Sequence, residues 1–323
     1  MPGGGDSGMQ PRLSVVLSTL GNYEVLERVL DGYERQTIAP ESFELIVVVD
    51  QADPYPERVD AAIGQRAYPV RRITGRMPGL SANRNAGWRE ARAPIVLLTD
   101  NDTIPVRRFV AEHLDWHTRH PAEEVAVIGH VRWAPELKVT PFMKWLEHGV
   151  QFDYPSIRGT EATWAHLYGA NSSIKRSFIE RVGDWDEVRL PYGYEDLDWS
   201  YRASKHRLRV LYNKRALIDH LRHDAHLEWW KHEQMPRLAR TERQFVAIHP
   251  EIKPWFHNMF TQALTAPPHR GRGAKLARFV PRWVPWLGPK VWLAADTYWK
   301  QQLAPHFLTA WEQAAEAVVA PTE

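Results

Sequence analysis

The sequence predicts an α/β fold in which a mostly parallel central sheet is flanked by helices. Short runs rich in Val, Ile and Leu recur along the first 220 residues, and such runs are typical of strands buried on both faces. Segments with apolar residues at helical spacing separate these runs, as in successive βαβ units. The runs at 43–49 and 95–99 each lead into acidic residues, which is where an open α/β sheet places its ligands.

Each predicted element rests on its own local pattern. The first strand is followed by a helix that Asn22 could cap, and the second strand ends at Asp50. A helix capped by Ser81 stops before Pro94, and Pro105 could open the next helix. The predicted strands are 13–19, 43–49, 70–73, 95–100, 125–128, 168–174, 208–211 and 216–218. The predicted helices are 22–33, a short one after 56, 81–92, 105–120, 140–150, 176–182 and one from about 195.

Composition and charge narrow the class of protein. A chain of 323 residues allows one large domain, or one domain with an appendage. The net charge of +2 gives no global field that would favour nucleic acid, and the absence of cysteine excludes disulfides, thiolate zinc sites and a cysteine nucleophile. No apolar run reaches the roughly 18 residues that span a bilayer. We expect residues 1–11 to be a disordered tail, neither signal peptide nor anchor, on a cytoplasmic protein.

The most informative stretch is 95–105, where an apolar strand ends in Asp100-Asn101-Asp102. Side chains alternate along an extended chain, so Asp100 and Asp102 should point the same way. Two carboxylates at a strand end suit Mg²⁺, which takes one or two carboxylates and completes its shell with water and phosphate oxygens. The competing interpretation is an Asx-rich turn that only ends the strand.

Two further polar residues mark the same predicted edge of the sheet. Asp50 could hydrogen-bond a nucleobase or ribose, or it could simply start a turn. Arg84 lies in the first turns of a predicted helix, where it could bind a phosphate or remain solvated. The glycines around it do not form a Gly-x-Gly-x-x-Gly pattern, which argues against a dinucleotide-binding dehydrogenase.

Acids and histidines appear again later in the chain. Glu195, Asp196 and Asp198 fall in the first turn of a predicted helix, where the helix dipole favours them and where one could also be a general base. His220 follows a predicted strand, and His223 comes three residues later. A neutral imidazole there could be a metal ligand or a structural residue.

The order of these residues resembles the family 2 glycosyltransferases, which have the GT-A fold. The resemblance covers about residues 12–223 and rests on the order and spacing of the motifs together. The motifs are Asp50, the 79–87 segment, Asp100-Asn101-Asp102, the 169–171 stretch, Glu195-Asp196 and His220.

The resemblance implies transfer of a sugar from a nucleotide-diphosphate donor to an acceptor hydroxyl. By this likeness Asp102 holds Mn²⁺ or Mg²⁺ against the diphosphate, Asp100 contacts the ribose or shares the metal, and His220 completes the site, with His223 as the alternative. Asp196 is the expected base of an inverting transfer, with Glu195 beside it.

The resemblance also assigns the donor-binding residues, with Asp50 on the nucleobase and Arg84 along the nucleotide. The other expected donor contacts are Thr19 and Asn171. Where relatives have a small polar run after the second strand, this chain has Gln51-Ala52-Asp53-Pro54. The choice among UDP, GDP and dTDP therefore stays open, as does the choice of a saccharide, lipid-linked or small-molecule acceptor.

Other functions are compatible with parts of this pattern. A non-catalytic nucleotide-sugar-binding protein of the same fold would not need the retained carboxylates. A sugar nucleotidylyltransferase needs a Gly-rich, Arg-bearing loop after the first strand, where this chain has Thr19-Leu20-Gly21-Asn22. A nucleic-acid binder would use the basic segment near the C-terminus, but that charge is local and we expect no nucleic acid as a partner.

The chain divides into a predicted catalytic domain, 12–225, and a helical extension, 226–323. No acid occurs between Ile252 and Ala295. The segment 270–290 fits an interfacial contact with the inner face of an anionic membrane, or a helical extension whose cations are solvated. The extension could also join two copies of the chain. The segment interleaves basic and aromatic residues: Arg270, Arg272, Lys275, Arg278, Phe279, Arg282, Trp283, Trp286 and Lys290.

Overall fold

Strands and helices alternate as far as His220, and the described residues beyond it form helices and the segments that connect them. The computed structural model describes residues 10–147, 150–222, 225–268, 271–277, 279–280, 284 and 286–319. The strands are β1 Leu13–Thr19, β2 Phe43–Val49, β3 Val70–Thr74, β4 Ile95–Asp100, β5 Thr103–Pro105, β6 Val125–Trp133, β7 Glu161–Ala162, β8 Asn171–Lys175 and β9 Arg209–His220. The helices are α1 Tyr23–Glu34, α2 Pro56–Ile63, α3 Leu80–Glu90, α4 Phe109–Arg119, α5 Pro141–Leu146, α6 Arg176–Val182, α7 Glu195–Ser204, α8 Leu227–Trp229, α9 Met235–Ile248, α10 Trp255–Thr265, α11 Arg272–Leu276 and α12 Leu287–Val319.

The strands of the described residues form one mixed sheet, in the order β3-β2-β1-β4-β8-β6-β9-β5, with β7 beside β9. The first four strands are parallel, as predicted. In the other half β8 runs antiparallel to β4 and β6, and β5 antiparallel to β9. The predicted α/β class is confirmed, and the parallel arrangement holds where a helical crossover returns the chain to the same end of the sheet.

The sheet must curl, because β4 and β5 are separated by only two residues yet lie four places apart in its order. Four strand spacings would span about 19 Å in a flat sheet, whereas three residue steps reach only about 10 Å. The curl therefore brings the end of β4 close to β9. The curl also brings Asp102, which lies between β4 and β5, next to His220 at the end of β9.

Strands β2 and β1, the second and third from the β3 end of the sheet, are covered on both faces. Every residue of β1 and β2 is buried, as expected for strands covered on both faces. Helix α3 lies against them at Gly87, where an added Cβ would be 2.2 Å from a methyl of Val16 and 3.0 Å from one of Val48. A glycine is required there because helix and strands approach so closely.

Three local predictions were wrong in detail. Asn22 has a left-handed backbone (φ 58°) and its side chain caps nothing. Ser81 does not cap α3 either, because its hydroxyl donates to the carbonyl of Leu190. Pro105 ends β5 and does not open a helix, since pairing with β9 keeps it extended and α4 begins only at Phe109.

The two strands predicted at 208–211 and 216–218 are one continuous strand, β9, with an irregularity opposite residues 128–130 of β6. Of the predicted tail, residues 1–9 lie outside the described residues. Gln10 is ordered against the sheet domain, because its amide donates to the carbonyl of Arg92. His223, Arg270, Arg278, Arg282 and Trp283 also lie outside the described residues.

The chain divides into two compact units. The first contains the sheet and consists of residues up to 134, 157–191 and 195–221; the second consists of 135–156, 192–194 and the chain from 222 onward. The single boundary predicted at 225–226 differs from this division, because 135–156 and 192–194 belong to the helical unit. Phe142 of α5, for example, packs on Trp299 of α12.

A buried carboxylate anchors residues 192–194 in the helical unit. Glu242 accepts hydrogen bonds from the Tyr194 hydroxyl at 2.6 Å and from the backbone N–H groups of Phe256 and His257 at the start of α10. Tyr194 has a left-handed backbone (φ 62°) and its ring packs on Phe245. No helix of the described residues is long and apolar enough to cross a membrane.

Candidate active site

The carboxyl ends of β1, β2 and β4 bring three predicted site residues to one edge of the sheet. Ser18 pairs with Asp100 and Thr19 with Val49, so Thr19, Asp50 and Asp100 lie in adjacent rows. The backbone N–H of Asp50 donates to the carbonyl of Thr19 at 2.9 Å. The juxtaposition expected from parallel strands is present.

Asp102 meets His220 across the short β5–β9 ladder. Thr103 pairs with His220, and the N–H of Leu221 donates to the carbonyl of Asp102 at 2.7 Å. His220 Nε2 lies 3.2 Å from Asp102 Oδ2. The ring of Trp133 stacks on the imidazole with centroids 5.3 Å apart and planes 8° apart, which fixes the ring orientation.

The charges at this edge act on one another. Loss of water contact and then the negative charge of Asp102 raise the pKa of Asp100 to about 6, while Arg84 and His220 oppose that rise. Asp196 contributes to the same rise. These five groups therefore belong to one electrostatic site. Within the described residues, however, no three His, Asp or Glu side chains already converge as a metal-binding cluster.

Arg84 connects the two acids of α7. Its side chain is 3% exposed, and Nη1 donates to Glu195 Oε1 at 2.8 Å and to Asp196 Oδ1. Asp196 Oδ2 also accepts from the N–H of Gly169 at 2.7 Å. A Cβ on Gly169 would be 2.2 Å from Arg84 Nη2, so only glycine leaves room for the guanidinium.

The two acids differ in accessibility. Glu195 is 5% exposed, and its buried Oε2 has no hydrogen-bond partner among the described residues. Burial and the adjacent Asp196 charge raise the pKa of Glu195 to about 7 against the opposing effect of Arg84. The side chain of Asp196 is 22% exposed. A soluble substrate could therefore reach the carboxylate of Asp196 but not that of Glu195.

Three predicted donor contacts have internal partners in this structure. Asp50 Oδ2 accepts from Gly79 N and Asn83 Nδ2, which ties the start of α3 to the sheet edge. The Asn171 amide donates to the carbonyl of Ala216, and its oxygen lies 3.0 Å from His113 Nε2. The side chains of Asn171 and His113 are both buried. Thr19 Oγ1 accepts from the amide of Asn101 at 2.9 Å.

Sequence reasoning missed several residues of this region. Asp53 accepts from Gly21 N, the Tyr23 hydroxyl and Tyr55 N, and so links the loops after β1 and β2. The sequence did not mark Trp133 as a site residue, because an aromatic residue at the end of a strand ordinarily belongs to the core. Gly169 belongs to the 169–171 stretch, and its lack of a side chain leaves room for the Arg84 guanidinium.

Comparison with known proteins identifies the family. A model of the family described as "Glycosyltransferase like family 2" matches residues 11–240. The validoxylamine A glucosyltransferase of Streptomyces hygroscopicus subsp. limoneus is 24% identical over an alignment of 278 residues that covers 76% of this chain and 58% of the relative. The probable glycosyltransferase YdaM of Bacillus subtilis is 21% identical over an alignment of 249 residues that covers 73% of this chain and 56% of YdaM. The chain thus spans about three-fifths of the length of these curated relatives.

Solved structures of glycosyltransferases share the fold of this chain. The mannosyltransferase PcManGT from Pyrobaculum calidifontis, in complex with GDP-Man and Mn²⁺, superposes with a TM-score of 0.54 at 16% identity, covering 97% of this chain and 77% of PcManGT. S. aureus TarS 1-349 gives a TM-score of 0.51 at 13% identity, covering 95% of this chain and 92% of TarS 1-349. GalNAc-T7, solved with UDP, GalNAc and Mn²⁺, gives 0.52 at 14% identity, covering 65% of this chain and 43% of that chain. These likenesses establish a GT-A fold. With the family match over most of the chain, they show that this protein belongs to the family 2 glycosyltransferases.

Proposed function

We propose that this protein transfers a sugar from a nucleotide-diphosphate sugar to an acceptor hydroxyl, with a divalent cation at Asp100, Asp102 and His220. The observation that carries the proposal is that ionisable residues up to 136 positions apart in sequence meet at the carboxyl ends of the strands: Asp102 contacts His220, and Arg84 binds Asp196. Asp100 ends β4 in register with Ser18, and the charges of those four groups act on its pKa. Fold alone would not require five ionisable side chains to meet there.

The residues fit a hard divalent cation in donor type and charge. Asp100 and Asp102 offer carboxylate oxygens that repel each other without a cation, and His220 offers an imidazole nitrogen already beside Asp102. Mg²⁺ and Mn²⁺ accept such ligands and take the remainder from water and phosphate oxygens. When bound, the cation would offset the negative charge that grows on the leaving diphosphate. PcManGT and GalNAc-T7 were both solved with Mn²⁺, which supports a divalent ion without deciding between the two.

The donor nucleotide would lie along the edge formed by Thr19, Asp50 and Asp100. Asp50 and Asp53 would act there mainly by shaping the loops after β1 and β2, since their oxygens hold backbone N–H groups of those loops. PcManGT was solved with GDP-Man and GalNAc-T7 with UDP. UDP, GDP and dTDP therefore all remain candidate nucleotides for this chain.

Asp196 is the proposed general base of an inverting transfer. It is the more accessible acid of the pair, and two donors, Arg84 and the N–H of Gly169, fix the direction of its carboxylate. A fixed carboxylate within hydrogen-bond reach can accept the proton of the attacking hydroxyl, a contribution of about 10² to 10⁴ in rate. Arg84 and Glu195 would position Asp196; a direct contact of Arg84 with the diphosphate remains a prediction.

The acceptor remains a saccharide, a lipid-linked molecule or a small molecule that carries a hydroxyl. The name of the Streptomyces relative, a validoxylamine A glucosyltransferase, supports the small-molecule class. The cytoplasmic location expected from the sequence also stays a prediction.

Isothermal titration of the purified protein with UDP, GDP and dTDP, each with and without Mn²⁺, tests the donor site. We expect one nucleotide to bind only with Mn²⁺, and Asp102→Ala to weaken that binding at least about tenfold, a loss of roughly 1.4 kcal/mol. Asp115→Ala is the matched control, because Asp115 is a half-exposed carboxylate of α4 that pairs with Arg119. Circular dichroism would verify that both variants fold.

Either of two results would contradict the proposal: no nucleotide binds under any condition, or binding is equal with and without the cation and in both variants. A non-catalytic binding protein would instead bind the nucleotide normally, yet never consume the matching nucleotide sugar. Nuclear magnetic resonance of the sugar nucleotide incubated with protein and candidate acceptors would separate that case.

A further inference from the structure

The segment 272–293 of the helical unit combines exposed apolar side chains with exposed cations. Among the described residues, eleven large apolar side chains are exposed, and five of them lie within the 18 residues 276–293. Trp286 is 86% exposed, Phe279 74% and Leu293 67%. The other two are Leu276 and Leu287. Such a concentration marks an interaction surface, because isolated exposed apolar residues are ordinary but clustered ones are not.

None of these five side chains belongs to the apolar cluster that joins α11 to α12. Helices α11 and α12 pack through a separate cluster formed by Ala274, Ala277, Val291, Trp292 and Ala295. At 3.6 residues per turn, Lys290 and Leu293 fall on one face of α12, roughly opposite Val291 and Ala295. The helix therefore buries one apolar face inside the unit and presents a second, mixed face outward.

The charge of the segment has a single sign. No Asp or Glu occurs between Ile252 and Ala295. Arg272, Lys275 and Lys290 are exposed, and none of the ion pairs found among the described residues involves them. The first acid after the segment, Asp296, is within reach of Lys300 and accepts from the indole of Trp145. The surface thus carries uncompensated positive charge beside apolar side chains.

We propose that the exposed, described residues of this segment bind the surface of an anionic lipid bilayer. They are Arg272, Lys275, Leu276, Phe279, Trp286, Leu287, Lys290 and Leu293. Tryptophan and phenylalanine enter the boundary between headgroups and acyl chains, and lysine and arginine pair with anionic headgroups. A protein interface would more often be depleted of lysine at its centre. Since no described helix can span a bilayer, the contact would lie on the membrane surface. The inference goes beyond the proposed function, because lipid binding requires neither donor nor acceptor.

Co-sedimentation of the full chain with vesicles tests the proposal. Vesicles of phosphatidylcholine alone are compared with vesicles that also contain phosphatidylglycerol, at about 0.05 M and about 0.5 M salt. We expect binding only to the anionic vesicles, and at least roughly tenfold weaker binding at high salt, where the Debye length is only a few ångström.

Two variants and two matched controls assign the binding to this segment. The double variant Lys275→Glu/Lys290→Glu should bind at least roughly 25-fold more weakly, since each cation near the surface is worth about fivefold in affinity. Trp286→Ala with Leu293→Ser should also weaken binding at least about tenfold. Lys138→Glu and Val188→Ser, at an exposed cation and an exposed aliphatic residue elsewhere, should bind like the unaltered chain.

Three results would overturn the proposal. They are absence of preference for anionic vesicles, equal binding by the segment variants and the unaltered chain, and self-association without vesicle binding. Sedimentation velocity detects the last: a dimer that Trp286→Ala dissociates would assign the segment to a second copy of the chain. Thermal unfolding of each variant would verify that the exposed substitutions leave the fold intact. A negative result here would leave nucleotide binding, and hence the proposed function, untouched.

Discussion

Replacing Glu195 by Gln should stabilise the protein at alkaline pH and leave its stability almost unchanged at pH 4. Burial, with the neighbouring Asp196 charge, raises the pKa of Glu195 from 4.5 to about 7. A carboxyl whose pKa is higher in the folded than in the unfolded protein binds its proton more tightly when folded. The free energy of unfolding therefore falls as the pH rises from about 4.5 to 7, and stays lower above that.

The magnitude follows from the size of the shift. A difference of about 2.5 pKa units corresponds to about 3 kcal/mol in favour of the protonated side chain. Glu195 is almost wholly buried, so solvent screens little of this. Glutamine has nearly the same shape as protonated glutamate, and its carbonyl can still accept the hydrogen bond from Arg84. The Glu195→Gln variant should thus gain up to about 3 kcal/mol at pH 8.

Urea unfolding followed by circular dichroism at pH 4, 6 and 8 measures this difference directly. The matched control is Glu180→Gln, because Glu180 is a half-exposed residue of α6 that pairs with Arg176 four positions away; it should change stability by less than about 0.5 kcal/mol at every pH. A gain for Glu195→Gln that did not depend on pH, or a loss at pH 8, would refute the reasoning.

Three further predictions concern Asp196, Gly169 and the buried histidines of α4. Asp196→Asn should lower sugar transfer by about 10² to 10⁴ while calorimetry shows unchanged nucleotide affinity; unchanged transfer would exclude Asp196 as the base. Gly169→Ala should lower the melting temperature, with a cost of about 1 to 3 kcal/mol, because its Cβ would meet the Arg84 guanidinium at 2.2 Å; an unchanged melt would contradict this. Burial lowers the pKa of His113 to about 4 and that of His117 to about 3, so both are neutral in the folded protein and stability should fall as the pH drops below about 6.5. Unfolding measured between pH 7 and 4 should show a loss of about 3 kcal/mol from His113 that His113→Gln removes.

The elements that could be predicted are those whose burial leaves a local pattern in the sequence. The first parallel strands could be located because strands covered on both faces need continuous apolar runs, such as 43–49. The exact starts of helices could not be located, because Asn22 and Ser81 are residue types that often cap helices but do not do so here. Asn22 has a left-handed backbone, and the hydroxyl of Ser81 donates to the distant carbonyl of Leu190. Local preference was overridden there by contacts that form only after the chain has folded.

Local sequence patterns were enough to identify the acidic groups of the site: Asp100 and Asp102 after a buried strand, and Glu195 with Asp196 at the start of a helix. Those placements follow from the alternation of side chains along a strand and from helix polarity, which are local properties. The way in which these groups are combined depends on long-range contacts of the folded chain. Arg84 meets an acid pair 111 and 112 residues away, and curling of the sheet, which no local pattern records, brings Asp102 to His220 across 118 residues.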